Sequence, residues 1–190
     1  ATSLNFYLGG NTMTLEGKKW AFKKATTCGP TTIILTALIM YFSMAKAYAE
    51  NPCNLAELGV AIGGTVTITS WICTFLQYLI VGGEFKKQFK EGGHKIPEMG
   101  KREEQVIFWS WMPSKWWVYV LVEGILAGII FGAGLPCYLA SWMINPEGIG
   151  RLGYALLSGF FNGIGTWFAV YLSQIYLVQF FNEKAAAAAK

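Results

Sequence analysis

Four long apolar stretches constrain this chain more than any other feature of its sequence. They cover Thr31–Ala49, Leu58–Val81, Trp116–Ile144 and Gly153–Phe181. A bilayer core about 30 Å thick needs roughly 20 apolar residues in a helix, and each stretch has about that length or more. Hydrophobic residues make up 54% of the chain and charged residues 14%, a balance that is typical of a polytopic membrane protein. The sequence therefore predicts an all-α protein with four transmembrane helices.

A short repeat joins the stretches in pairs. Asn51-Pro52 follows the first stretch and Asn145-Pro146 follows the third, each ahead of a Leu-Gly-x-Ala segment. Proline has no backbone N–H and biases the preceding residue away from the helical region, so each pair ends one helix before the next begins. We expect two membrane hairpins. The predicted segments are an interfacial N-terminal segment over 1–29, a first hairpin over 30–83, a basic and aromatic loop over 84–115, a second hairpin over 116–181 and a tail over 182–190.

Basic residues concentrate on one side of this arrangement. Four of the 15 lysines and arginines precede the first stretch, seven lie in the loop and two follow the last stretch, whereas Lys46 and Arg151 fall at the Asn-Pro ends. The positive-inside rule then places both termini and the loop in the cytoplasm. Anionic lipid headgroups explain the net charge of +4, so we expect anionic lipids and no nucleic acid as partners.

Cysteine and histidine usage restricts the cofactor chemistry. Cys53 and Cys137 both fall near the predicted outer face, where an oxidising compartment would allow a disulfide between them; four unpaired thiols are the alternative. The single histidine, His94, lies in the loop, and no Cys-x-x-Cys motif occurs. The sequence predicts no metal site and no cofactor, with bound lipids as the expected non-protein molecules.

Small residues recur at four-residue spacing in the last two stretches. Residues four apart share a helix face, and small ones allow two helix backbones to approach closely. We expect these faces to pack the third and fourth helices on each other or on other integral membrane subunits, further copies of this chain included. The packing positions are Gly124, Gly128, Gly132, Gly159 and Gly163.

Glu123 is the one carboxylate well inside an apolar stretch, about 10 Å from the interface marked by Trp116. An ionised carboxylate is expensive at that depth and usually faces a protein interior or a water-filled cavity. Counting depth along the fourth stretch places Gln174, with Tyr171 and Ser173, near the level of Glu123, and Asn162 and Thr166 closer to the middle of the bilayer. The pattern predicts a proton or cation pathway through Glu123, Asn162, Thr166 and Gln174. The alternatives are a neutral Glu123 that is hydrogen-bonded to a neighbouring helix, or a Glu123 that lies shallower and reaches toward the lipid headgroups.

The second hairpin also carries motifs of a known family. They are Asn145-Pro146-Glu147-Gly148-Ile149-Gly150, then Ala155-Leu156-Leu157 and Gly163-Ile164-Gly165-Thr166. Over residues 124–171, these motifs and the inferred orientation resemble the helix pair of the MotA/TolQ/ExbB proton-channel family. The resemblance implies a ring of subunits in which this pair lines an ion path beside a partner helix with an acidic residue. Thr166 would face that path.

Three functions are compatible with these patterns. The leading hypothesis is a small integral subunit of a larger membrane complex, with a structural and assembly role through small-residue helix packing. The second is a proton or cation pathway that uses the intramembrane glutamate. The third is a membrane enzyme acting on lipid or thiol substrates, which has the least support because no nucleophile and base pair is visible.

Overall fold

The computed structural model of the chain describes residues 15–91, 113–143 and 148–188, and in these ranges it is helical with no strands. The first half contains α1, a short 3-10 helix and α2. The second half contains α3, a π-helical segment and α4, which together form one continuous span, and then α5. Their bounds are α1 Leu15–Phe42, 3-10 helix Met44–Tyr48, α2 Leu55–Glu91, α3 Trp116–Ala127, π segment Gly128–Gly134, α4 Leu135–Met143 and α5 Arg151–Ala188.

Four helices are long and apolar enough to cross a membrane, which confirms the all-α, four-helix prediction. These spans are Lys19–Phe42, Leu55–Gln88, Trp116–Trp142 and Arg151–Phe181. Large apolar side chains such as Ile34, Val60 and Trp142 are exposed on their outer faces. An apolar surface of this extent is expected where lipid, and not water, surrounds a protein.

The helix ends differ from the predicted boundaries. The start of α1 at Leu15 lies within the predicted N-terminal segment, and the helix continues through Pro30 to Phe42. Within α1, the Lys24 ammonium is paired with Glu84 of α2 at 2.6 Å, and Pro30 leaves one backbone hydrogen bond of the helix unmade. The Asn145-Pro146 repeat, the aromatic loop beyond residue 91 and His94 lie outside the described residues.

The last two long helices also extend beyond their predicted ends. Helix α2 continues to Glu91, within the predicted loop, and α5 continues to Ala188, so most of the predicted tail over 182–190 is helical. In both cases the apolar stretch ends but the helix does not, because a polar helix turn can project beyond the apolar core of a bundle.

Helix α5 is the central helix of the bundle. It packs most extensively against α1 and also contacts α2, while α2 packs against the third span. In an apolar 18-residue segment of the α5 span, 61% of the residues are buried, against 17% in the corresponding segment of α1. The closest partners are therefore helices from different predicted hairpins.

Helices α2 and α5 run parallel in a constant register. A Cβ atom at Gly165 would contact Val66, the Thr74 hydroxyl meets Ser173, and a Cβ atom at Gly82 would contact the ring of Phe181. Each of these pairs is 99 residues apart in the sequence. The register fixes which polar groups of the two helices lie at the same depth.

The packing glycines lie at helix contacts within the chain. A Cβ atom at Gly159 would lie 2.7 Å from the Ile33 carbonyl oxygen of α1. At Gly128 a Cβ atom would overlap Thr67 of α2, with similar overlaps of Gly132 with Gly63, Gly124 with Trp71 and Gly163 with Ile33. The expectation that these faces join the third and fourth spans is thus corrected: α2 covers the third span and α1 covers α5.

A π-helical segment interrupts the third span between Gly128 and Gly134. The backbone N–H of Leu135 bonds to the Ile130 carbonyl, five residues back, just before Pro136. Proline cannot donate to the carbonyl four residues earlier, so a local change of hydrogen-bond register is expected beside it. The segment brings Phe131 against Gly165 of α5.

The two ends of the bundle have different chemistry. At one end, which we call the turn end, Cys53 and Ile149 exchange two backbone hydrogen bonds of 2.8 and 3.0 Å. Arg151 caps α1 there, with two N–H groups donating to the Tyr41 carbonyl at 2.7 and 2.9 Å. The other end, the lysine end, contains the Lys24–Glu84 pair and a stack of Tyr78 on Trp116.

Candidate functional site

A line of buried polar side chains runs along the inside of the bundle. On α5, Ser158, Asn162 and Thr166 are four residues apart and Ser173 follows seven later, so all four share one helix face. The facing side of α2 and the third span add further buried polar groups. We call this set the polar column: Ser158, Asn162, Thr166, Ser173 and Gln174 of α5, Ser70, Thr74 and Gln77 of α2, and Glu123 of α3.

Glu123 lies in the column and is joined to two other helices by hydrogen bonds. The Thr74 hydroxyl donates to Glu123 Oε2 at 3.1 Å and lies 3.0 Å from the Ser173 hydroxyl. Ser173 in turn donates to the Ala169 carbonyl at 2.7 Å. Glu123 is only 5% exposed, so the carboxyl depends on these protein contacts for its hydrogen bonding.

The hydrogen bonds of this network can run in two ways, depending on whether Glu123 carries a proton. If Glu123 is protonated, each group donates to the next in turn, from Glu123 to Thr74, Ser173 and the Ala169 carbonyl, and all three contacts are satisfied. If Glu123 is ionised, Thr74 donates to it, Ser173 donates to Thr74, and the bond to Ala169 is given up, since a hydroxyl has one proton. The two arrangements differ by one proton and the rotation of two hydroxyls.

Two further contacts connect the column to other helices. Gln174 Nε2 donates to Gln77 Oε1 at 2.6 Å, close to the level of Ser173. Nearer the turn end, Asn162 Nδ2 donates to the Thr36 hydroxyl of α1 at 3.0 Å. The column therefore involves all four spans.

Several buried side-chain oxygens in the column and beside it have no hydrogen-bond partner among the described residues. A buried polar atom without a partner typically costs about 1–3 kcal/mol, so such atoms are rare unless water or a ligand supplies the missing bond. Six occur here, most of them along one line. They belong to Ser70, Tyr119, Ser158, Asn162 (Oδ1), Thr166 and Gln174 (Oε1).

Tyr119 extends the column toward the lysine end. Its ring is fully buried and stacks on Tyr176 at 3.8 Å between centroids. Its unpartnered hydroxyl is within electrostatic reach of Glu123 and Ser173. The phenol is placed to exchange a hydrogen bond with the network.

The predicted site residues are all buried on this column, but no hydrogen bond among the described residues joins them to one another. Glu123 bonds to Thr74, Asn162 to Thr36, and Gln174 to Gln77. Thr166 is fully buried and its hydroxyl is unpartnered. The sequence did not assign Thr74, Ser70 or Thr36 to the site, although hydroxyl residues at a spacing of four in the second stretch were the available signal.

The two cysteines of the predicted disulfide are free thiols in this structure. Cys53 donates to the Asn54 carbonyl and Cys137 to the Leu55 carbonyl, each at 3.3 Å. Burial raises the pKa of the Cys53 thiol. A protonated thiol is a poor nucleophile, and the bridge between the two cysteines stays a prediction.

Tyr48 lies beside Cys53 at the turn end. Its ring is 4.8 Å from that of Tyr154, between centroids. The pKa of the Tyr48 phenol is raised to about 12. Burial is the largest cause, and the neighbouring Cys53 is the next. The phenol is therefore neutral over the ordinary pH range.

Within the described residues, no group of three or more His, Cys, Asp or Glu side chains is placed to hold a metal ion. The class that fold and site define is thus a four-span helical protein with a buried carboxyl in a hydroxyl and amide column. Comparison with protein families, curated proteins and solved structures finds no match to this chain. The resemblance to the MotA/TolQ/ExbB helix pair stays a prediction.

Proposed function

We propose that this chain is an integral membrane subunit that conducts protons through the polar column, with Glu123 as the proton-binding site. The observation that carries the proposal is the hydrogen-bonded series from Glu123 through Thr74 to Ser173, which can exist in two forms that differ by one proton. An intramembrane carboxylate in contact with hydroxyl groups is the kind of group that proton relays use.

The geometry favours a proton over a larger cation. A proton can move along hydrogen bonds by hydroxyl rotation, whereas a metal cation needs several oxygen ligands to replace its hydration shell. Glu123 is the one acidic member of the column, and its neighbours are single hydroxyls and amides from different helices. Packing by Val66 and Phe131 against Gly165 keeps the helices close at the middle of the column.

The test is proton flux into liposomes that contain the purified chain and a pH-sensitive dye. Glu123→Gln keeps a side chain that can donate to Thr74 but cannot release a proton. We expect flux to fall about tenfold or more while the melting temperature changes little, since proton transfer by a positioned group typically contributes 10²–10⁴-fold. Unchanged flux in a folded E123Q protein would overturn the proposal.

Glu57→Gln is the matched control for that substitution. Asn54 and Glu57 form a reciprocal cap at the start of α2, with bonds of 3.1 and 2.9 Å. Glutamine fits this capping position as well as glutamate does. E57Q removes one carboxylate from the chain outside the column and should leave the flux unchanged.

A structural subunit of a larger membrane complex is the second candidate. The exposed apolar side chains favour it, because they provide surface for other membrane subunits, including copies of this chain, as well as for lipid. The glycine faces no longer support it, since α1 and α2 fill them. In this case Glu123 is a neutral packing group, and E123Q would change neither the proton flux nor the stability of the protein.

Membrane topology and lipid contacts form part of the proposal. We propose two hairpins with both termini and the lysine end in the cytoplasm, where anionic headgroups would contact the exposed lysines 19, 23, 86 and 87. Arg151, at the opposite end, does not oppose this orientation, because its guanidinium is bonded to the Tyr41 carbonyl and lies 4.1 Å from the ring centroid of Tyr41.

A further inference from the structure

Three of the unpartnered oxygens form a ladder on α5. Ser158, Asn162 and Thr166 are at most 2% exposed, and each carries an oxygen without a described partner. Neighbours are four residues apart, which corresponds to a rise of about 6 Å along the helix. A water molecule bonded to two oxygens usually holds them about 4.5 Å apart, because its two hydrogen bonds of about 2.8 Å meet near the tetrahedral angle. A step of about 6 Å is therefore bridged by one or two water molecules.

The ladder has one gap, between Thr166 and Ser173. Seven residues separate them, about 10 Å along the helix, which is too far for one bridging water. Because α2 and α5 run in a constant register, Ser70 lies level with Ala169, inside this gap. Its buried hydroxyl is also unpartnered.

Ser70 lies on the correct face of α2 for this role. Val66, one turn before it, faces Gly165 of α5, and Thr74, one turn after it, contacts Ser173. Residues four apart on a helix share a face, so Ser70 lies between two positions that both contact α5. Its hydroxyl belongs to the same interface as the ladder.

We infer that these oxygens hold a single file of water that supplies protons to Glu123 from the turn end, with Ser70 as the residue that closes the gap. The inference rests on the proton site proposed above, and it adds the end of the bundle from which protons reach Glu123. The order along the file is Ser158, Asn162, Thr166, Ser70 and then the Thr74–Ser173 contact. Tyr154 lies one turn before Ser158 in the direction of the turn end, and its ring is 4.8 Å from that of Tyr48, between centroids.

The inference is tested by hydrogen–deuterium exchange at the Glu123 carboxyl. The full chain in nanodiscs is mixed rapidly with D2O under acidic conditions, and the shift of the carboxyl stretching band is followed by infrared spectroscopy. Loss of the band in E123Q assigns it. Among the described titratable groups, Tyr119 and Cys73 lie within electrostatic reach of Glu123, so all variants are compared at one pH.

Ser70→Ala and Thr166→Val should each slow the exchange about tenfold or more, as expected when a hydrogen bond in the path is lost. Thr65→Val is the matched control, because the Thr65 hydroxyl donates to the Ala61 carbonyl of its own helix at 2.8 Å. A merely structural role for Ser70 or Thr166 predicts faster exchange, since a loosened bundle admits water more readily. Wild-type or faster exchange in both variants would overturn the water file.

Failure of this inference and failure of the proposed function give different results. If S70A and T166V exchange at the wild-type rate while E123Q abolishes proton flux, the proton site stands and the water file is wrong. If both variants slow the exchange while E123Q keeps full flux, the water file stands and the proposed function is wrong.

Discussion

The Thr74 hydroxyl lies 3.1 Å from the Glu123 carboxyl, and through this contact α2 connects the carboxyl of α3 to the Ser173 hydroxyl of α5. Three spans thus meet at one buried hydroxyl. The contact has a structural role, because it satisfies a buried carboxyl, and it has a chemical one if the proton of that carboxyl moves. Substitutions at Thr74 and Glu123 separate the two roles.

Thr74→Val should impair both stability and proton flux. The substitution is nearly isosteric but leaves the Glu123 carboxyl without its hydroxyl partner, which typically costs about 1–3 kcal/mol. We expect a lower melting temperature in detergent and a loss of flux in liposomes. Thr65→Val, on the same helix but outside the column, should change neither. Equal behaviour of the two valine variants would show that the Thr74 contact contributes nothing.

Gly159→Ala should weaken the packing of α1 on α5. The added Cβ atom would lie 2.7 Å from the Ile33 carbonyl oxygen and 2.7 Å from the Ala37 Cβ atom, and a backbone atom cannot move aside cheaply. Overpacking of this kind typically costs about 1–3 kcal/mol, read as a lower melting temperature.

Gly64→Ala is the control for that substitution. A Cβ atom at Gly64 would meet no described atom within 4 Å, so alanine should stabilise α2 by up to about 1 kcal/mol through helix propensity. If G159A is as stable as G64A, α1 does not pack on α5 as described.

Alkaline pH should destabilise the turn end through Tyr48. Its phenol has a pKa of about 12 in the folded chain, against an ordinary value near 10. Between these values the unfolded chain releases the proton while the folded chain holds it, so stability falls as the pH rises through that window. Tyr48→Phe should lose less stability over the same pH range. Tyr138→Phe, at an exposed position, is the control and should follow the wild type.

The sequence predicted the number and type of the spans because hydrophobic length alone determines them. It placed helix ends less well: α1 begins at Leu15, within the predicted N-terminal segment, and no local pattern shows that Lys24 pairs with Glu84 of another helix. The choice of helix neighbours was also beyond local patterns. Gly128 and Gly159 were recognised as packing positions, but Thr67 and Ile33, the residues that fill them, come from other spans.

The residues of the candidate site were likewise only partly predictable from the sequence. Glu123 stood out in the sequence because a carboxylate in an apolar stretch is unusual. Thr74 and Ser70 did not stand out, because a hydroxyl in a helix usually bonds to its own preceding turn, as Thr65 does here. Only the register of α2 against α5 shows that these two hydroxyls face the column and Thr65 does not.

The most direct test of proton conduction through Glu123 is the reversal potential of the current in planar bilayers containing the purified chain, measured with a pH difference across the membrane. A proton pathway predicts a reversal potential that follows the proton gradient, about 59 mV per pH unit, in the wild type and E57Q, and no specific current in E123Q. A reversal potential that follows Na⁺ or K⁺ instead, or a proton current that persists in E123Q, would contradict it.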